Sequence, residues 1–399
     1  MSESVVVVGA GQAGLATSHE LTRAGVEHVV LERGRIGESW RGRWDSFCLV
    51  TPNWTVQLPG GTYDGDDPDG FMPRDEIVAF FERYGAEAPV RTGVTVTSLS
   101  AAPDGFVLEA STGEIRARSI VVATGAYQRP HRPEVARSLP ADVVTLDADD
   151  YRNERGLPDG QVLVVGSGQT GCQIAEELAE AGRTVFLSCG RAPWAPRRIG
   201  DRDLVWWLIE TGFMDMPVES LPEPAARLAA NVLASGRDGG HDLHLRTLPA
   251  KGVTLLGHFT GADETRAHFA RDLQQSVAWG DDRYRQLRDL VHALARERSL
   301  PVPKLPDPDP VDADSPESVA LADLGAVVFT GGFRPDYERW VHVPGAFDEL
   351  GFPVHAECMS LAAPGLFFVG VHFLRKRKSS LLFGVGEDAA IVAGAIAAR

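Results

Sequence analysis

A glycine-rich segment near the N-terminus constrains the fold more than any other feature of this chain. Residues Gly9–Gly14 read G-A-G-Q-A-G, follow the apolar run Ser4–Val8 and open a segment with helical periodicity. In a strand–turn–helix unit the first glycine permits the tight turn, the second lets the backbone approach a pyrophosphate, and the third lets helix and strand pack closely. Glu32 ends the next apolar strand, where a carboxylate can accept both ribose hydroxyls. The sequence therefore predicts a β-α-β fold that binds a dinucleotide with a free ribose diol.

The same order of elements recurs in the middle of the chain. Residues Gly166–Gly171 read G-S-G-Q-T-G and follow the apolar run Gln161–Val165. The second strand of this copy leads into Ser188 and then Arg191, with no acid at the position that corresponds to Glu32. A carboxylate there would repel a 2′-phosphate, whereas Ser188 and Arg191 offer a donor and a positive charge. We therefore expect NADP(H) rather than NAD(H) at the second motif.

Two more arginines lie close to this second motif in the sequence. Arg197 and Arg198 could add to the same positive region. The alternative for Arg191 is a solvated surface arginine, because most arginines in folded proteins are exposed.

The remaining pattern indicates how the two motifs are organised into domains. Residues 94–122 read as three short strands joined by tight turns, which predicts a β-meander inserted into the first fold. Apolar strands at 327–330 and 366–370 and a helical pattern at 386–398 are expected to return to the first domain. The prediction is an α/β protein with two Rossmann-like domains, the first of which is discontinuous.

We place the domain boundaries from these strands and from a change in composition. The first domain is predicted to comprise residues 1–152 and 317–399, and the second to comprise residues 153–316 with a helical insertion on the substrate side.

Within that insertion we expect helices at 264–276 and 283–298. The segment 300–316 is rich in Pro and Asp and is interpreted as a linker or exposed loop.

An aromatic-rich loop follows the ribose-binding acid. Trp40, Trp44 and Trp54 cluster within residues 37–58, next to Asn53. Such a loop can cover an isoalloxazine ring, and Asn53 could hydrogen-bond the polar edge of that ring. The alternative for Trp40 and Trp44 is core packing, since large aromatic side chains dominate cores generally.

Small residues at the ends of buried strands are further candidate cofactor contacts. Thr124 and Gly125 follow one buried strand and Gly370 ends another, and small residues there let the chain pass close to a bound cofactor. Arg33, next to Glu32, completes this set of candidates.

Composition excludes several classes of function. The net charge of −16 argues against binding to nucleic acid or to an anionic membrane surface. No apolar run reaches about 18 residues, so we expect no membrane span. The four cysteines include no C-x-x-C pair, which argues against zinc-site spacing and against a redox dithiol. His241 and His244 are interpreted as surface or packing residues rather than a metal pair.

The paired motifs, the Ala-Thr-Gly turn and the segment Leu31–Asp45 resemble the class B flavin-dependent monooxygenases, which include flavin-containing, YUCCA-type and Baeyer–Villiger enzymes. Segments 43–60 and 372–389 are most similar to the bacterial CzcO-like flavoproteins of that group. The resemblance covers nearly the whole chain and implies a fold of the glutathione-reductase and flavin-monooxygenase type. It implies that FAD is held by Gly9, Gly11, Gly14 and Glu32, and NADPH by Gly166, Gly168, Gly171 and Arg191, with Asn53 near the flavin edge.

The resemblance also implies a reaction. NADPH would reduce FAD, and a C4a-(hydro)peroxyflavin formed with O2 would oxygenate nitrogen, sulfur or a carbonyl carbon of a small organic substrate. The family carries a fingerprint of the form F-x-G-x-x-x-H between its two motifs, and here Asp147 stands at the histidine position, with Tyr151 after it. This departure leaves open an alternative, an FAD-dependent NADPH oxidase, dehydrogenase or reductase without oxygen insertion. We expect a cytoplasmic enzyme, and a homodimer is left open.

Overall fold

The computed structural model describes residues 2–311 and 315–399. The described α-helices are, in chain order, α1 (Gln12–Arg23), α2 (Glu38–Arg41), α3 (Arg74–Tyr84), α4 (Gln169–Glu180), α5 (Leu204–Glu210), α6 (Leu273–Glu297) and α7 (Val385–Ala397). The described strands are β1 (Ser2–Val8), β2 (His28–Leu31), β3 (Gln57–Leu58), β4 (Gly61–Thr62), β5 (Val90–Arg91), β6 (Val96–Ala102), β7 (Gly105–Ala110), β8 (Gly113–Val122), β9 (Arg129–Pro130), β10 (Thr145–Asp147), β11 (Gln161–Val165), β12 (Val185–Ser188), β13 (Arg198–Ile199), β14 (Arg202–Asp203), β15 (Val253–Leu256), β16 (Phe259–Ala262), β17 (Arg266–Phe269), β18 (Ser318–Ala320), β19 (Leu324–Phe329), β20 (Phe333–Arg334), β21 (Val341–His342), β22 (His355–Ala356), β23 (Met359–Ser360) and β24 (Leu366–Phe368).

The first sheet confirms the predicted N-terminal β-α-β unit and the inserted meander. Its strand order is β21-β6-β7-β8-β1-β2-β5, and β6, β7 and β8 are antiparallel neighbours. The carboxyl half of β8 also pairs in parallel with β24, so that Val122 lies between Val8 and Phe368. The carboxyl ends of β1, β8 and β24 therefore meet at one edge of the sheet.

The second sheet is parallel throughout and has the order β10-β19-β11-β12-β15. Val165 at the end of β11 lies between Ser188 of β12 and Phe329 of β19. The glycine loop after β11 thus occupies the same place in this sheet as the loop after β1 does in the first. The prediction of two Rossmann-like domains is confirmed.

The sheet pairing corrects the predicted domain boundaries at residues 152 and 316. β19 was expected to return to the first domain, but it pairs with β10 and β11 in the second sheet. β10 also lies in that sheet, and β18 pairs with β17. Because β19 is apolar on both faces, its sequence fits the centre of either parallel sheet, and only the tertiary pairing decides between them.

The helical insertion also differs from its prediction. Residues 264–276 were expected to form a helix, but β17 occupies 266–269 and forms a hairpin with β16. Alternate residues of β17 are buried, as in a strand with one face on the core. The helix predicted at 283–298 is confirmed as the carboxyl part of the longer α6. Segment 300–316 has no regular structure where it is described, and residues 312–314 lie outside the described residues.

The C-terminal helix closes the first domain as predicted. α7 contributes Val385, Val392 and Ile396 to the apolar core that β1 and α1 also form. None of the helices among residues 2–311 and 315–399 combines the length and apolar character needed to cross a membrane.

Candidate active site

Two of the three glycines in the first loop are required by the fold itself. Gly9 has a φ of +106°, and a Cβ there would lie 2.8 Å from the carbonyl oxygen of Ala123. A Cβ on Gly14 would lie 1.7 Å from the carbonyl oxygen of Gly9. These two positions therefore exclude any side chain, whether or not a ligand is present.

Gly11 is different, because no protein atom requires a glycine there. Its φ of −84° is ordinary for any residue, and the nearest atom to an added Cβ would be Ser39 Oγ at 3.9 Å. Open space at the N-terminus of α1 is what a pyrophosphate needs to approach the backbone. Gly11 thus leaves an open cradle that fits the predicted dinucleotide.

The Glu32 carboxylate is held in place at the end of β2. It is buried, its Oε2 accepts the N–H of Ala10 at 2.7 Å, and its Oε1 accepts the N–H of Gly34 at 2.8 Å. A carboxylate has further lone pairs, so both oxygens can still accept ribose hydroxyls. The neighbouring Arg33 is exposed and has no ion-pair partner among the described residues.

The second loop repeats this arrangement. Gly166 has a φ of +115° and lies against the carbonyl oxygen of Thr330, while a Cβ on Gly171 would lie 1.9 Å from the carbonyl oxygen of Gly166. Gly168 has an ordinary φ of −71°, and an added Cβ would meet only Ala230 Cβ at 3.8 Å. The middle glycine is again the one that the protein leaves free for a ligand.

The end of β12 differs in part from its prediction. Ser188 is buried and its hydroxyl donates to the carbonyl oxygen of Gly257 at 3.0 Å, so that hydroxyl hydrogen does not point outward. Arg191 is exposed and has no hydrogen-bond or ion-pair partner among the described residues. Its guanidinium is therefore available to an anionic ligand.

Arg197 does not add to this positive region. Its side chain is only 2% exposed, forms an ion pair with Asp203 at 2.8 Å and donates to the carbonyl oxygen of Val50 at 2.6 Å. It also lies over the ring of Phe71, at 4.3 Å from the ring centroid. Arg197 is thus a buried structural cation, whereas Arg198 is exposed.

A histidine that the sequence did not single out lies beside the end of β12. His258 Nε2 is 3.6 Å from the point where a Cβ on Gly190 would lie. Asp272 holds this ring, since its Oδ2 lies 2.6 Å from His258 Nδ1 and its Oδ1 accepts the His258 N–H at 2.9 Å. Ser167, within the second glycine loop, holds the backbone of Gly190 through hydrogen bonds at 2.9 and 3.1 Å.

The tryptophans of the aromatic loop have separate positions. Trp40 is partly buried and stacks on Phe81 in the first core, whereas Trp44 is buried in the core of the second domain. Trp54 lines an open surface groove together with Tyr63. The contacts of Trp40 and Trp44 are therefore those of core packing, the alternative to covering a cofactor ring.

Asn53 uses most of its amide within its own loop. Its Nδ2 donates to the carbonyl oxygen of Asp67 at 2.9 Å, and its Oδ1 accepts the N–H of Met72 at 2.7 Å. These bonds leave one amide hydrogen of a buried side chain for any further partner.

The other predicted contacts lie at the carboxyl edge of the first sheet. Gly370 has a φ of +81°, and a Cβ there would lie 2.4 Å from Ala13 Cβ, so the chain passes directly against α1. Gly125 has a φ of +69°, and its carbonyl oxygen accepts the hydroxyl of Tyr337 at 2.8 Å. Thr124 is exposed beside it.

Two aromatic rings extend beyond this same edge. Tyr127 is 52% exposed, and its ring stacks on His372 at a centroid distance of 5.3 Å. His372 Nε2 lies 2.9 Å from the carbonyl oxygen of Arg227, and burial lowers the pKa of His372 to about 4. His372 is therefore a neutral ring that donates from Nε2 and supports Tyr127.

The fingerprint position holds a salt bridge. Asp147 ends β10 and accepts two hydrogen bonds from Arg132, at 2.6 and 3.0 Å. The Arg132 guanidinium lies over Phe329, which is opposite Asp147 in β19. The Tyr151 hydroxyl donates to Glu177 at 2.9 Å, which ties the following segment to α4.

The cysteine thiols are buried, and the described residues form no metal-binding cluster. All four cysteines are buried, and burial raises the pKa of Cys48 to about 11 and that of Cys189 to about 12. Burial raises the pKa values of Cys172 and Cys358 as well. No group of metal-ligating side chains that could hold an ion occurs among residues 2–311 and 315–399.

Comparison with known proteins identifies the class. A family model for pyridine nucleotide-disulphide oxidoreductases matches residues 6–208, and the chain belongs to that family. Membership implies FAD and NADPH as cofactors, and the two open cradles and Glu32 fit them. The chain is an FAD-dependent oxidoreductase.

Individual proteins similar to this chain include oxidoreductases and monooxygenases. The chain is 29% identical to an uncharacterised CzcO-like oxidoreductase of Geobacillus kaustophilus, over 96% of this chain and 95% of the relative. It is 29% identical to the indole-3-pyruvate monooxygenase YUCCA4 of rice, over 55% and 59%. The flavin-containing monooxygenase of Stenotrophomonas maltophilia has the same fold, with a TM-score of 0.70 and 19% identity over 100% and 98%. The resemblance to class B flavin-dependent monooxygenases is confirmed.

Proposed function

We propose that this chain is an NADPH-dependent flavoprotein monooxygenase that oxygenates a small organic substrate. The observation that carries the proposal is the pair of open cradles at Gly11 and Gly168, each at the carboxyl edge of a parallel sheet. When bound, FAD would accept reducing equivalents from NADPH and supply the chemistry that activates O2. The flavin-containing and YUCCA relatives, which carry the word monooxygenase in their names, support oxygen transfer rather than simple reduction.

Each nucleotide would be held mainly by backbone and by one charged group. At the first site the amide groups around Gly11 face a pyrophosphate, and Glu32 accepts the ribose hydroxyls. At the second site the backbone around Gly168 serves the same purpose, and Arg191 attracts a 2′-phosphate.

Tyr127 and His372 would border the reacting groups. Both follow strands whose carboxyl ends meet beside the first glycine loop, which brings them to the edge where a flavin would lie. The exposed part of the Tyr127 ring would offer an apolar surface that helps to exclude water, and the neutral His372 stacked on it adds no charge.

Isotope labelling tests oxygen transfer directly. The FAD-loaded protein would be supplied with NADPH and 18O2 together with a panel of small sulfides, amines and ketones. We expect at least one product to carry one 18O atom, with less peroxide formed than NADPH consumed. The Gly168→Ala variant, which should keep FAD but bind NADPH poorly, serves as the matched control.

The competing function is an NADPH oxidase or reductase without oxygen insertion. Peroxide equal to the NADPH consumed, with no labelled product from any member of the panel, would favour this alternative. A disulfide reductase, which is one version of this competing function, needs an accessible thiolate. The buried cysteines, with their raised pKa values, argue against that form.

A further inference from the structure

The carboxyl ends of β12 and β15 form one side of the second nucleotide site. Ser188 and Leu256 are register partners, so Gly190 and His258 both lie just beyond the same edge. In the first site the ribose-binding residue Glu32 directly follows β2, and the residue at the same place after β12 is Cys189, next to Gly190. The ribose nearest the adenine of a second dinucleotide is therefore expected beside Gly190 and His258.

His258 is positioned to act at this ribose. Asp272 fixes the ring through Nδ1, and the other ring nitrogen, Nε2, lies 3.6 Å from the Cβ position of Gly190. Because Gly190 has no side chain, no atom of residue 190 beyond its backbone lies between His258 Nε2 and a ligand bound at this turn. In its protonated form histidine donates from both nitrogens, so Nε2 can donate to an anionic oxygen.

Asp272 would otherwise be an obstacle to a phosphate here. A carboxylate beside the ribose repels a 2′-phosphate and favours the free diol of NADH. Both oxygens of Asp272 are engaged by His258, one through the ring and one through the backbone N–H. The histidine thus occupies both oxygens of this carboxylate, while its Nε2 remains near Gly190.

We propose that His258, held by Asp272, forms a 2′-phosphate subsite together with Arg191 and is a determinant of the preference for NADPH over NADH. This inference rests on the proposed use of NADPH. In this subsite His258 takes the role of hydrogen-bond donor that was expected of Ser188, because the Ser188 hydroxyl donates to the carbonyl oxygen of Gly257 instead.

Direct nucleotide binding tests the subsite on the FAD-loaded protein. Dissociation constants for NADP+ and NAD+, and for 2′,5′-ADP and 5′-AMP, would be measured by titration calorimetry. We expect His258→Ala to weaken NADP+ and 2′,5′-ADP by about 10-fold, the effect of losing one charge-assisted hydrogen bond. Binding of NAD+ and 5′-AMP should stay within about twofold of wild type or become tighter.

A matched control lies on the neighbouring hairpin. His268 is similarly exposed and forms the same kind of pair, with Nε2 at 2.7 Å from Asp263 Oδ2. His268→Ala should leave all four dissociation constants unchanged. FAD content and the unfolding midpoint of each variant would confirm that the fold is intact.

A double variant separates electrostatics from a structural role. In His258→Ala the Asp272 carboxylate is left uncompensated, so adding Asp272→Asn should recover part of the lost NADP+ affinity. If His258 only supported the fold, the second substitution would deepen the loss and would overturn the inference.

Failure of this inference can be told apart from failure of the proposed function. Equal weakening of NADP+ and NAD+ in His258→Ala would overturn the subsite. The subsite would also be overturned if His258→Ala left the NADP+ affinity unchanged while Arg191→Ala abolished the preference for NADP+ over NAD+. In that case NADPH would remain the cofactor. A wild-type protein that binds NADP+ no better than NAD+ would overturn the proposed use of NADPH itself.

Discussion

At the scale of single residues, each glycine loop contains glycines of two kinds. Gly9 and Gly14 are needed because backbone atoms lie where a side chain would be, and Gly166 and Gly171 repeat this constraint. The middle glycine of each loop has ordinary backbone angles and open space. A residue that the apo fold does not require is most simply explained by the ligand that approaches it.

This difference predicts a selective pair of variants. Gly11→Ala should fold but bind FAD about 10- to 100-fold more weakly, because the methyl group meets the pyrophosphate at a cost of about 1–3 kcal/mol. Gly168→Ala should keep FAD and lose NADP+ affinity by a similar factor. Flavin absorbance after gel filtration and NADP+ titration would measure the two effects.

Gly9→Ala is the contrasting control. Its positive φ and the Ala123 carbonyl at 2.8 Å should prevent correct folding and give little soluble protein. If Gly11→Ala were as poorly soluble as Gly9→Ala, or if it bound FAD normally, the assignment of the cradle would be wrong.

At the scale of elements, one buried cation connects three segments. Arg197 pairs with Asp203 in the β13–β14 hairpin, donates to the loop at Val50 and covers Phe71. The neighbouring Arg198 is exposed. Two adjacent arginines thus have opposite environments, which local sequence does not distinguish.

Substitution of each arginine should show this contrast. Arg197→Met leaves the buried Asp203 carboxylate uncompensated and should lower the free energy of unfolding by about 3–5 kcal/mol. Arg198→Met should change it by less than about 0.5 kcal/mol. Urea denaturation of the two variants would measure both values, and equal effects would refute the buried ion pair.

At the scale of the whole molecule, the loop after α2 joins the two domains. Trp44 lies in the core of the second domain although it belongs to a loop of the first. The Asp45 N–H donates to the Arg152 carbonyl at 2.8 Å, and the Ser46 hydroxyl donates to Glu177 of α4. The loop therefore fixes the second glycine motif relative to the first.

Removing this anchor should uncouple the domains. Trp44→Ala should cost about 3–5 kcal/mol and split a single unfolding transition into two, since the second core loses a large buried ring. Calorimetry together with flavin fluorescence would detect the separation. Trp54→Ala, at a partly exposed position on a surface groove, should leave the transitions coincident, and a split there as well would argue against a specific role of Trp44.

The sequence by itself determined the two β-α-β units, their glycine loops and the acid at Glu32, because these depend on short-range sterics that a local spacing expresses. It also indicated the meander and the last helix, whose periodicities are local. Tertiary structure alone decided the sheet to which β19 belongs, the burial of Arg197 and the inward hydroxyl of Ser188. It also brought His258 to Gly190 from a distant part of the chain. These features depend on long-range pairing between strands and between charges, which no local pattern of residues encodes.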